Sequence, residues 1–486
     1  MSQRPVICWF RRDLRLQDNP ALRAAVDTGL PVIPVYILDE ESEGVRADGA
    51  AKKWWLDKSL KSLSSNIERL GGRLVLRKGA ARPVIEALME KTGAGAVFWN
   101  RQYEKPLIDR DTAIKDRLKE SGVEAHSFNG SLLNEPWTIE TGSGGHYKVF
   151  TPYWKAVRAN YSAPDPIVAP DTLAGSDVTS DALADWGLHP TRPDWSKGFA
   201  PFWRPGEEGA LDRLDHWLKN GLGAYDERRN RPDIENSTSG LSPHLAMGEI
   251  SPQTIWRAVR QAMQDGRRNI PEDQAWTFLS ELVWREFSYV LLYHNPELHT
   301  DNYNRDFNHM PWRCSENDLK AWEMGCTGYP MVDAGMRQLW LTGWMHNRVR
   351  MIVASFLTKH LLMHWHHGEE WFWDCLVDSD PASNAASWQW TAGSGADAAP
   401  YFRVFNPITQ GAKFDETGDY VRRFVPELAK LPDKYLHAPW EAPDHVLKKA
   451  GVKLGENYPH PIVAHKQGRQ RALDAYDKLK EKRDAA

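Results

Sequence analysis

The chain has 486 residues, of which 41% are hydrophobic and 26% charged, and its formal net charge is −4. This length allows two or more domains, and the composition is ordinary for a soluble globular protein. A net charge this close to zero excludes a globally basic nucleic-acid binder, so any surface for nucleic acid must be a local basic patch.

The four cysteines, Cys8, Cys314, Cys326 and Cys375, form no CxxC or Cys/His pattern. Their spacing argues against a zinc site and against a disulfide framework, and we predict no metal centre. The N-terminal sequence reaches its arginines too early for a signal peptide, and no stretch approaches transmembrane length. We therefore expect a cytoplasmic protein that has no membrane attachment.

Residues 1–130 alternate short β-branched runs with amphipathic helical patterns. Such alternation predicts a doubly wound parallel sheet, with any ligand at the carboxyl ends of the strands. Neither GxGxxG nor GxxxxGK[ST] is present, so a classical dinucleotide site or P-loop is not indicated. The predicted strands are at 6–10, 32–38, 73–79, 96–100 and 124–128.

The rest of the chain divides into two regions of different composition. Residues 131–204 are rich in Pro, Ser, Asp and Gly, which is typical of a connector that runs over a surface. Residues 205–486 show helical periodicity and carry most of the 23 tryptophans. The predicted fold class is therefore α/β plus all-α, with an N-terminal parallel-sheet domain, a long connector and a C-terminal helical domain.

The stretch from Trp344 to Trp390 places Asp378, Asp380 and Asn384 among several tryptophans. Buried carboxylates need hydrogen-bond donors to offset their desolvation, so a purely apolar core is a poor explanation. A flat heterocycle with many N–H and O–H groups, such as a flavin, satisfies carboxylates and indoles together.

Three further segments carry polar groups suited to a ligand. Thr238 to Ser242 precede a helix and offer hydroxyls and N–H groups to a phosphate, although an ordinary N-cap explains them equally well. Glu281, Trp284 and Arg285 share one helix face. In one interpretation Glu281 and Arg285 form a surface ion pair beside a core tryptophan. In the other, apolar neighbours raise the proton affinity of the Glu281 carboxyl group. Arg348 suits phosphate contacts, while Arg350 suits either a phosphate or an ion pair with Asp378.

Five sequence blocks match a known family. The chain resembles the photolyase/cryptochrome family over almost its whole length, and within it the cyclobutane pyrimidine dimer photolyases of microbes, of class I or the related class III. The blocks are WFRRDLRLQDNPAL, TSGLSPHLAMGEISP, ELVWREF, TGYPMVDAGMRQLWLTGWMHNRVRM and WFWDCLVDSDPASNAASWQW.

This resemblance implies a monomeric enzyme that binds FAD and ultraviolet-damaged DNA. Reduced FAD would donate an electron, under light, to a cyclobutane dimer flipped out of the helix, and Glu281 and Asn384 would assist as catalytic residues. The cofactor-binding residues implied are Tyr225, Thr238, Ser239, Gly240, Leu241, Ser242, Arg350, Asp378, Asp380 and Asn384. The residues implied for the lesion or DNA are Glu281, Trp284, Arg285, Asn347, Arg348, Met351, Trp390 and Gln410, and those implied for electron transfer are Trp388, Trp365 and Trp312 in order outward from the flavin.

Alternatives within and outside the family remain open. A cryptochrome photosensor shares the fold and FAD, and a (6-4) photolyase shares the reaction class. Asn347 and Met351 favour the cyclobutane dimer, because (6-4) enzymes carry an extra histidine in this motif. A non-photochemical flavoprotein oxidoreductase is disfavoured because the Rossmann fingerprint is missing.

The chain departs from the family pattern at two places. Phe278 stands where tryptophan is common, and Pro106 and Leu107 stand where folate-binding relatives carry Asn and Glu. For a second, light-harvesting chromophore we expect methenyltetrahydrofolate held in a different mode, with 8-hydroxy-5-deazaflavin as the alternative.

Overall fold

The computed structural model describes residues 4–174, 177–265, 270–398 and 402–485. Its strands are β1 Val6–Phe10, β2 Val32–Leu38, β3 Val75–Lys78, β4 Ala96–Asn100 and β5 Glu124–Phe128. In the described part of the chain they form one parallel sheet of order β3-β2-β1-β4-β5. The five predicted strands are all present, and the order is that of a doubly wound sheet.

Both faces of this sheet are covered, which explains why its strands read as unbroken apolar runs. Val6, Cys8 and Phe10 of β1 enter one core cluster, whereas Ile7 and Trp9 enter the cluster on the opposite face. The helices that cover the sheet are α1 Pro20–Asp27, α2 Ala50–Arg69, α3 Ala81–Thr92 and α4 Lys105–Glu120.

Local capping signals set several helix ends. Asn19 accepts a hydrogen bond from the Leu22 N–H at 3.1 Å and so caps α1, which begins at Pro20. Gly93 ends α3 in a left-handed conformation with φ of +64°, which glycine adopts without strain.

The C-terminal part of the described chain is helical, as predicted. Its helices are α5 Phe150–Asn160, α6 Glu207–Asn220, α7 Tyr225–Arg228, α8 Ser242–Met247, α9 Pro252–Gln264, α10 Glu272–His294, α11 Glu316–Glu323, α12 Pro330–Thr342, α13 Asn347–Ser355, α14 Trp365–Cys375, α15 Pro381–Ala392, α16 Pro407–Phe414, α17 Asp419–Phe424, α18 Asp433–Leu436, α19 Asp444–Ala450 and α20 His465–Ala485. A π-helical turn at Phe356–His360 follows α13, and short 3-10 turns lie at Leu183–Trp186, Leu222–Ala224, Arg305–His309, Pro426–Leu428 and Pro439–Glu441. No helix in these ranges is long and apolar enough to cross a membrane.

The region predicted as a connector contains α5, which the sequence analysis did not predict. Phe150, Tyr153 and Val157 of this helix are buried in the same core cluster as α10. The polar composition around α5 hides its short apolar pattern, because only one face of the helix is buried. The domain boundaries at residues 130 and 204 stay a prediction.

The sheet region and the helical region are held together by buried polar contacts. Glu249 Oε1 accepts hydrogen bonds from Trp55 Nε1 at 2.9 Å and from the Gly206 N–H at 2.7 Å. Lys52, which is buried on α2, donates to the Ser379 carbonyl at 2.8 Å. Because each of these groups would be costly to bury without a partner, the contacts fix how the two regions are docked.

Candidate functional site

A cavity of about 530 Å³ lies among α8, α10, α13 and α15. This volume is within the range of protein cavities that enclose small ligands. Most of the residues that the sequence analysis selected line it: Tyr225, Thr238, Ser239, Gly240, Leu241, Ser242, Glu281, Trp284, Arg285, Asn347, Arg350, Met351, Asp378, Asp380, Asn384, Trp388 and Trp390.

Asp378 forms the ion pair that was one of two predictions for Arg350. Arg350 Nη2 lies 3.0 and 2.8 Å from the two carboxylate oxygens, and Ser242 Oγ donates to Oδ2 at 2.6 Å. The contact joins the start of α8, α13 and the loop before α15. The carboxylate is therefore neutralised and fixed in place at the cavity wall.

Asp380 caps α15, and Pro381 occupies the first turn of that helix. Its Oδ1 accepts hydrogen bonds from the N–H groups of Ala382 and Ser383 at 3.1 and 2.8 Å, and Tyr289 Oη donates to Oδ2 at 2.8 Å. Burial opposes ionisation, but Arg285 and these donors together lower the pKa of Asp380. The cavity therefore contains a second carboxylate that stays negative.

Asn384 lies one turn further along α15, and its side-chain orientation is determined by α14. Its Nδ2 donates to the Glu369 carbonyl at 3.0 Å and to Glu369 Oε1 at 2.8 Å. Both amide hydrogens are thereby used, so the amide oxygen is the group left to accept a hydrogen bond from a ligand.

The loop Thr238–Ser242 reaches the cavity at the start of α8. Gly240 has a φ of +65°, and Ser239 Oγ accepts from the Leu241 N–H at 3.3 Å. Leu241 occupies the N-cap position and makes no side-chain cap, so the ordinary N-cap explanation does not hold here. The Ser242 hydroxyl donates to Asp378, the Leu241 N–H is paired with Ser239, and Pro243 has no N–H. The donors suited to an anion are therefore the hydroxyls of Thr238 and Ser239 and the backbone N–H groups of Gly240 and Ser242.

Glu281 and Arg229 form an ion pair at one edge of the cavity, with Arg229 Nη1 2.7 Å from Glu281 Oε1. Burial raises the pKa of Glu281, and Arg229 offsets part of that rise. The alternative pairing of Glu281 with Arg285 is not formed, because Arg285 Nη1 donates to the Ser131 carbonyl at 2.9 Å. Arg229 was not selected from the sequence, since a single arginine in a charged segment gives no signal.

Trp284 presents only one face to the cavity. Phe150 stacks on the ring with centroids 3.7 Å apart and planes 9° apart. Met351, Asn347 and Trp390 complete this part of the wall. The result is an apolar slot that can take a flat group against an indole.

Two of the residues selected for contacts with DNA do not line the cavity. Arg348 donates to Asn230 Oδ1 at 2.7 Å and lies 4.6 Å from the centre of the Phe414 ring. Gln410 is on α16, and its buried Oε1 has no hydrogen-bond partner in the described part of the chain.

The three tryptophans selected for electron transfer differ in burial. Trp388 lines the cavity and Trp365 is fully buried, while Trp312 is partly exposed. A Cβ at Gly368 would overlap the Trp388 ring, so this glycine lets the indole pack against the backbone of α14. His364 contacts both Trp312 and Trp365, with ring centroids 5.3 and 5.6 Å away.

A second cavity of about 120 Å³ opens between the carboxyl end of the sheet and the helical region. Below, we call it the interdomain cleft. Its lining includes Arg11, Arg12, Arg46, Arg110, Pro106 and Leu107. Four pairs of consecutive residues separate it from the first cavity. Ala246, Leu291, Phe372 and Asp380 line the first cavity, and the residues that follow them, Met247, Leu292, Trp373 and Pro381, line the cleft.

The chemistry of the first cavity fits FAD. Ser379 Oγ and Trp388 Nε1 belong to residues that line it, and within the described ranges both atoms are buried without a hydrogen-bond partner. Such groups are costly unless a ligand satisfies them. Together with two carboxylates, a hydroxyl-rich loop and apolar walls, they match a cofactor that has a ring system, a polyol chain and phosphates. No group of three or more His, Cys, Asp or Glu side chains suited to a metal occurs among the described residues.

Comparisons with known proteins extend over the whole chain. Residues 278–478 match a family model described as the FAD binding domain of DNA photolyase, and residues 6–171 match one described as DNA photolyase. A deoxyribodipyrimidine photo-lyase of Agrobacterium fabrum is 54% identical over 478 residues, covering 98% of both chains. Cryptochrome-1 of Arabidopsis thaliana is 37% identical over 482 residues, covering 97% of this chain and 70% of that one.

Structural comparison agrees with these matches. A crystal structure of a bacterial class III photolyase from Agrobacterium tumefaciens has a TM-score of 0.95 and 53% sequence identity, and covers 99% of this chain and 98% of that chain. The resemblance and the fold class predicted from the sequence are confirmed. The chain therefore belongs to the photolyase/cryptochrome family.

Proposed function

We propose that this chain is a DNA photolyase that binds FAD in the first cavity and uses light to repair cyclobutane pyrimidine dimers in ultraviolet-damaged DNA. One observation carries the proposal: a single cavity joins a polar cradle, built on Ser242, Asp378 and Asp380, to a slot walled by Trp284 and Trp390. The cradle suits a charged cofactor, and the slot suits a flat lesion brought out of the base stack.

The cofactor's contacts are distributed along its length. The phosphates would be held by the hydroxyls of Thr238 and Ser239 and by the backbone N–H groups of Gly240 and Ser242, with Leu241 and Tyr225 beside them. Arg350 and Asp378 act as one neutral, rigid unit, since their ion pair also takes a hydrogen bond from Ser242. Asp380 stays ionised and would accept hydrogen bonds from the polar edge of a bound ring.

When bound and reduced, FAD supplies an electron donor that is activated by light. The protein's role is to hold the electron donor and the lesion next to each other and to exclude water. Asn384 presents its amide oxygen to the ring edge, because Glu369 holds both amide hydrogens. An acceptor at that position favours a protonated ring nitrogen and thus the reduced cofactor.

The lesion occupies the outer part of the cavity. Trp284 and Trp390 provide flat apolar walls, while Asn347 and Met351 line the same region. Glu281, whose pKa burial raises, hydrogen-bonds a carbonyl of the dimer and stabilises negative charge as it develops there. Arg348 and Gln410 lie outside the cavity wall and contact the DNA strand around the lesion. The positive charge of Arg285 helps to keep Asp380 ionised.

Renewal of the reduced cofactor uses Trp388, Trp365 and Trp312, in that order. Their burial supports this direction, since Trp388 lines the cavity and Trp312 reaches the surface. An external reductant in solution would then supply the electron at Trp312 without any opening of the cavity.

The composition of the cavity wall favours the cyclobutane dimer over the (6-4) product as the substrate. None of the described residues that line the cavity is a histidine. His346 lies nearby, but it caps α13 by accepting from the Arg348 N–H at 3.2 Å, and burial lowers its pKa to about 3. It is therefore neutral and turned toward the backbone, which leaves no imidazole for acid-base work on a transferred hydroxyl.

The decisive experiment gives purified, reduced protein two substrates under blue light, one with a cyclobutane dimer and one with a (6-4) product. Loss of the dimer with the (6-4) product untouched is expected. Repair of the (6-4) product alone would overturn the lesion assignment, and no repair of either would favour a cryptochrome photosensor.

For the second chromophore we propose methenyltetrahydrofolate in the interdomain cleft, with 8-hydroxy-5-deazaflavin as the alternative. Arg12 and Arg46 are the more exposed arginines of the cleft wall and would share their charge between their present carboxylate partners, Glu104 and Glu369, and the carboxylates of a folate tail. Pro106 and Leu107 offer no polar side chain to a pterin edge. Reconstitution with each compound, followed by excitation spectra of energy transfer to FAD, distinguishes them. Uptake of neither compound would show that FAD works alone.

A further inference from the structure

A segment of the N-terminal region, residues 44–50, is docked onto α14. Trp373 Nε1 donates to the Ala47 carbonyl at 2.9 Å, and the Ala50 N–H donates to Asp374 Oδ1 at 2.9 Å. A Cβ at Gly49 would overlap the Trp373 carbonyl, so the two backbones touch at this point. The segment therefore has a fixed position relative to α14.

This docking places Arg46 against a buried carboxylate. Its guanidinium lies 2.8 and 2.9 Å from the two oxygens of Glu369 in a two-pronged ion pair, and it stacks on Trp373 at 4.2 Å. The Glu369 side chain is 3% exposed, whereas the Arg46 side chain is 32% exposed and lines the interdomain cleft. A planar guanidinium in this geometry fixes the carboxylate in one orientation.

The same carboxylate orients Asn384. Glu369 Oε1 contacts Arg46 on one side and accepts from Asn384 Nδ2 at 2.8 Å on the other. A continuous chain of polar contacts therefore runs from the interdomain cleft to the amide that faces the first cavity.

We propose that Arg46 is a positioning residue for Asn384, so that a cation of the N-terminal region tunes the cofactor held in the helical region. The proposal rests on the proposed function only in taking FAD as the occupant of the first cavity. Without Arg46, the Glu369 carboxylate would be buried without a counter-charge, which is costly, so its side chain turns toward solvent. Asn384 then loses its carboxylate acceptor, and its amide is free to present N–H instead of oxygen to the cofactor.

The test uses FAD-loaded protein and measures how fast the fully reduced flavin reoxidises in the dark, together with its absorption spectrum. Arg46→Gln is expected to change the reoxidation rate about fivefold or more, the lower end of typical coupling between sites. Arg46→Lys, which keeps the charge but not the two-pronged geometry, should fall between Arg46→Gln and the wild type. Asp374→Ala is the matched control, because it removes a docking contact of the same segment without touching Glu369, and it should leave the rate unchanged.

A double variant separates positioning from simple loosening of the interface. If Arg46 acts through the carboxylate, Arg46→Gln combined with Glu369→Gln should match Glu369→Gln alone, because the effects of two residues in one chain of contacts do not add. Additive effects, or an Arg46→Gln rate within twofold of wild type, would overturn the proposal. Dimer repair by the wild type is scored separately, so a failure of the proposed function and a failure of this inference give different results.

Discussion

Arg229, directly after α7, and Glu281 on α10 meet at 2.7 Å across the edge of the first cavity, 52 positions apart in the chain. Both side chains line the cavity and are about equally exposed, at 26% for Arg229 and 30% for Glu281. The ion pair therefore fixes the position of the carboxyl group that we expect to contact a lesion carbonyl.

Replacing Glu281 by Ala should lower the repair yield per photon by about tenfold, the loss of one charged hydrogen bond of about 1.5 kcal/mol. Binding to dimer-containing DNA should fall much less, because the contact strengthens only as charge develops on the lesion. Photon-counted repair and fluorescence anisotropy measure the two quantities. Glu272→Ala, an exposed change on the same helix, is the control, and equal losses in yield and binding for Glu281→Ala would contradict this role.

Trp284→Ala should act mainly on binding. One face of the indole is covered by Phe150 at 3.7 Å, so the other face is the stacking surface for a base or dimer. Loss of such stacking should weaken binding to damaged DNA by about 1–3 kcal/mol. Anisotropy titrations with damaged and intact duplexes measure it, with the exposed Trp137 replaced by Ala as the control. An unchanged affinity would place the lesion elsewhere.

Trp388→Phe should abolish light-driven reduction of bound FAD, because it removes the donor that lines the cavity. Repair by chemically reduced protein should continue, since that reaction needs no new electron. Absorption changes under blue light with an external reductant follow the first process, and Trp137→Phe controls for general effects of losing an indole. Photoreduction of Trp388→Phe at the wild-type rate would mean that electrons reach the flavin by another route.

Asn384→Asp should keep FAD bound but make full reduction harder to reach or hold. The new carboxyl group would lie against the Glu369 carboxylate, which now accepts from Asn384 Nδ2 at 2.8 Å. Two carboxylates at this distance share a proton, so an acid hydroxyl replaces the amide at the ring edge. Reductive titration measures the effect, and the uncharged Asn384→Ser separates it from loss of the amide. Equal titration curves for the Asp and Ser variants would rule out the charge as the cause.

Glu286 predicts a pH dependence of stability. Burial raises its pKa to about 8, above the ordinary value of 4.5, against the opposing effects of Arg285 and the N–H groups of Asn134 and Leu133. Between these two values the folded protein holds more protons at Glu286 than the unfolded chain, so this group lowers the free energy of unfolding as the pH rises. The decline is at most about 1.4 kcal/mol per pH unit.

The variant Glu286→Gln should therefore gain stability relative to wild type from pH 5 to pH 8. Thermal unfolding of FAD-loaded protein at several pH values measures the difference, and Glu272→Gln on the same helix should follow the wild type. If the unfolding temperatures of Glu286→Gln and wild type changed with pH in the same way, the Glu286 carboxyl group would not be the cause of the pH dependence.

The sequence predicted those parts of the molecule whose signals are local. Short β-branched runs in the sequence predict buried parallel strands. All five observed strands lie at the predicted runs, and only β3 is shorter than the run that predicted it. The Asp378 and Asp380 pair was recognised because two carboxylates among tryptophans conflict with an apolar core. Membership of the family then supplied residues that no pattern in the chain distinguishes.

The residues that were missed act over long separations. Glu369 orients Asn384 from another helix, and Arg46 reaches Glu369 from 323 positions away. Each is an ordinary charged residue in a polar segment, so neither has a local signal. Arg285 shows the reverse case, since its spacing from Glu281 suggested an ion pair, but the connector offered the Ser131 carbonyl as a better buried acceptor.

The partition between the two cavities includes four pairs of consecutive residues in the helical region, Ala246–Met247, Leu291–Leu292, Phe372–Trp373 and Asp380–Pro381. A pigment in the cleft would lie on one side of this partition, and the flavin would lie on the other. The distance between pigment and flavin would then depend on four short pieces of backbone. Substitutions in the N-terminal wall of the cleft would change which pigment binds there. The distance between pigment and flavin, over which excitation energy passes, would stay the same.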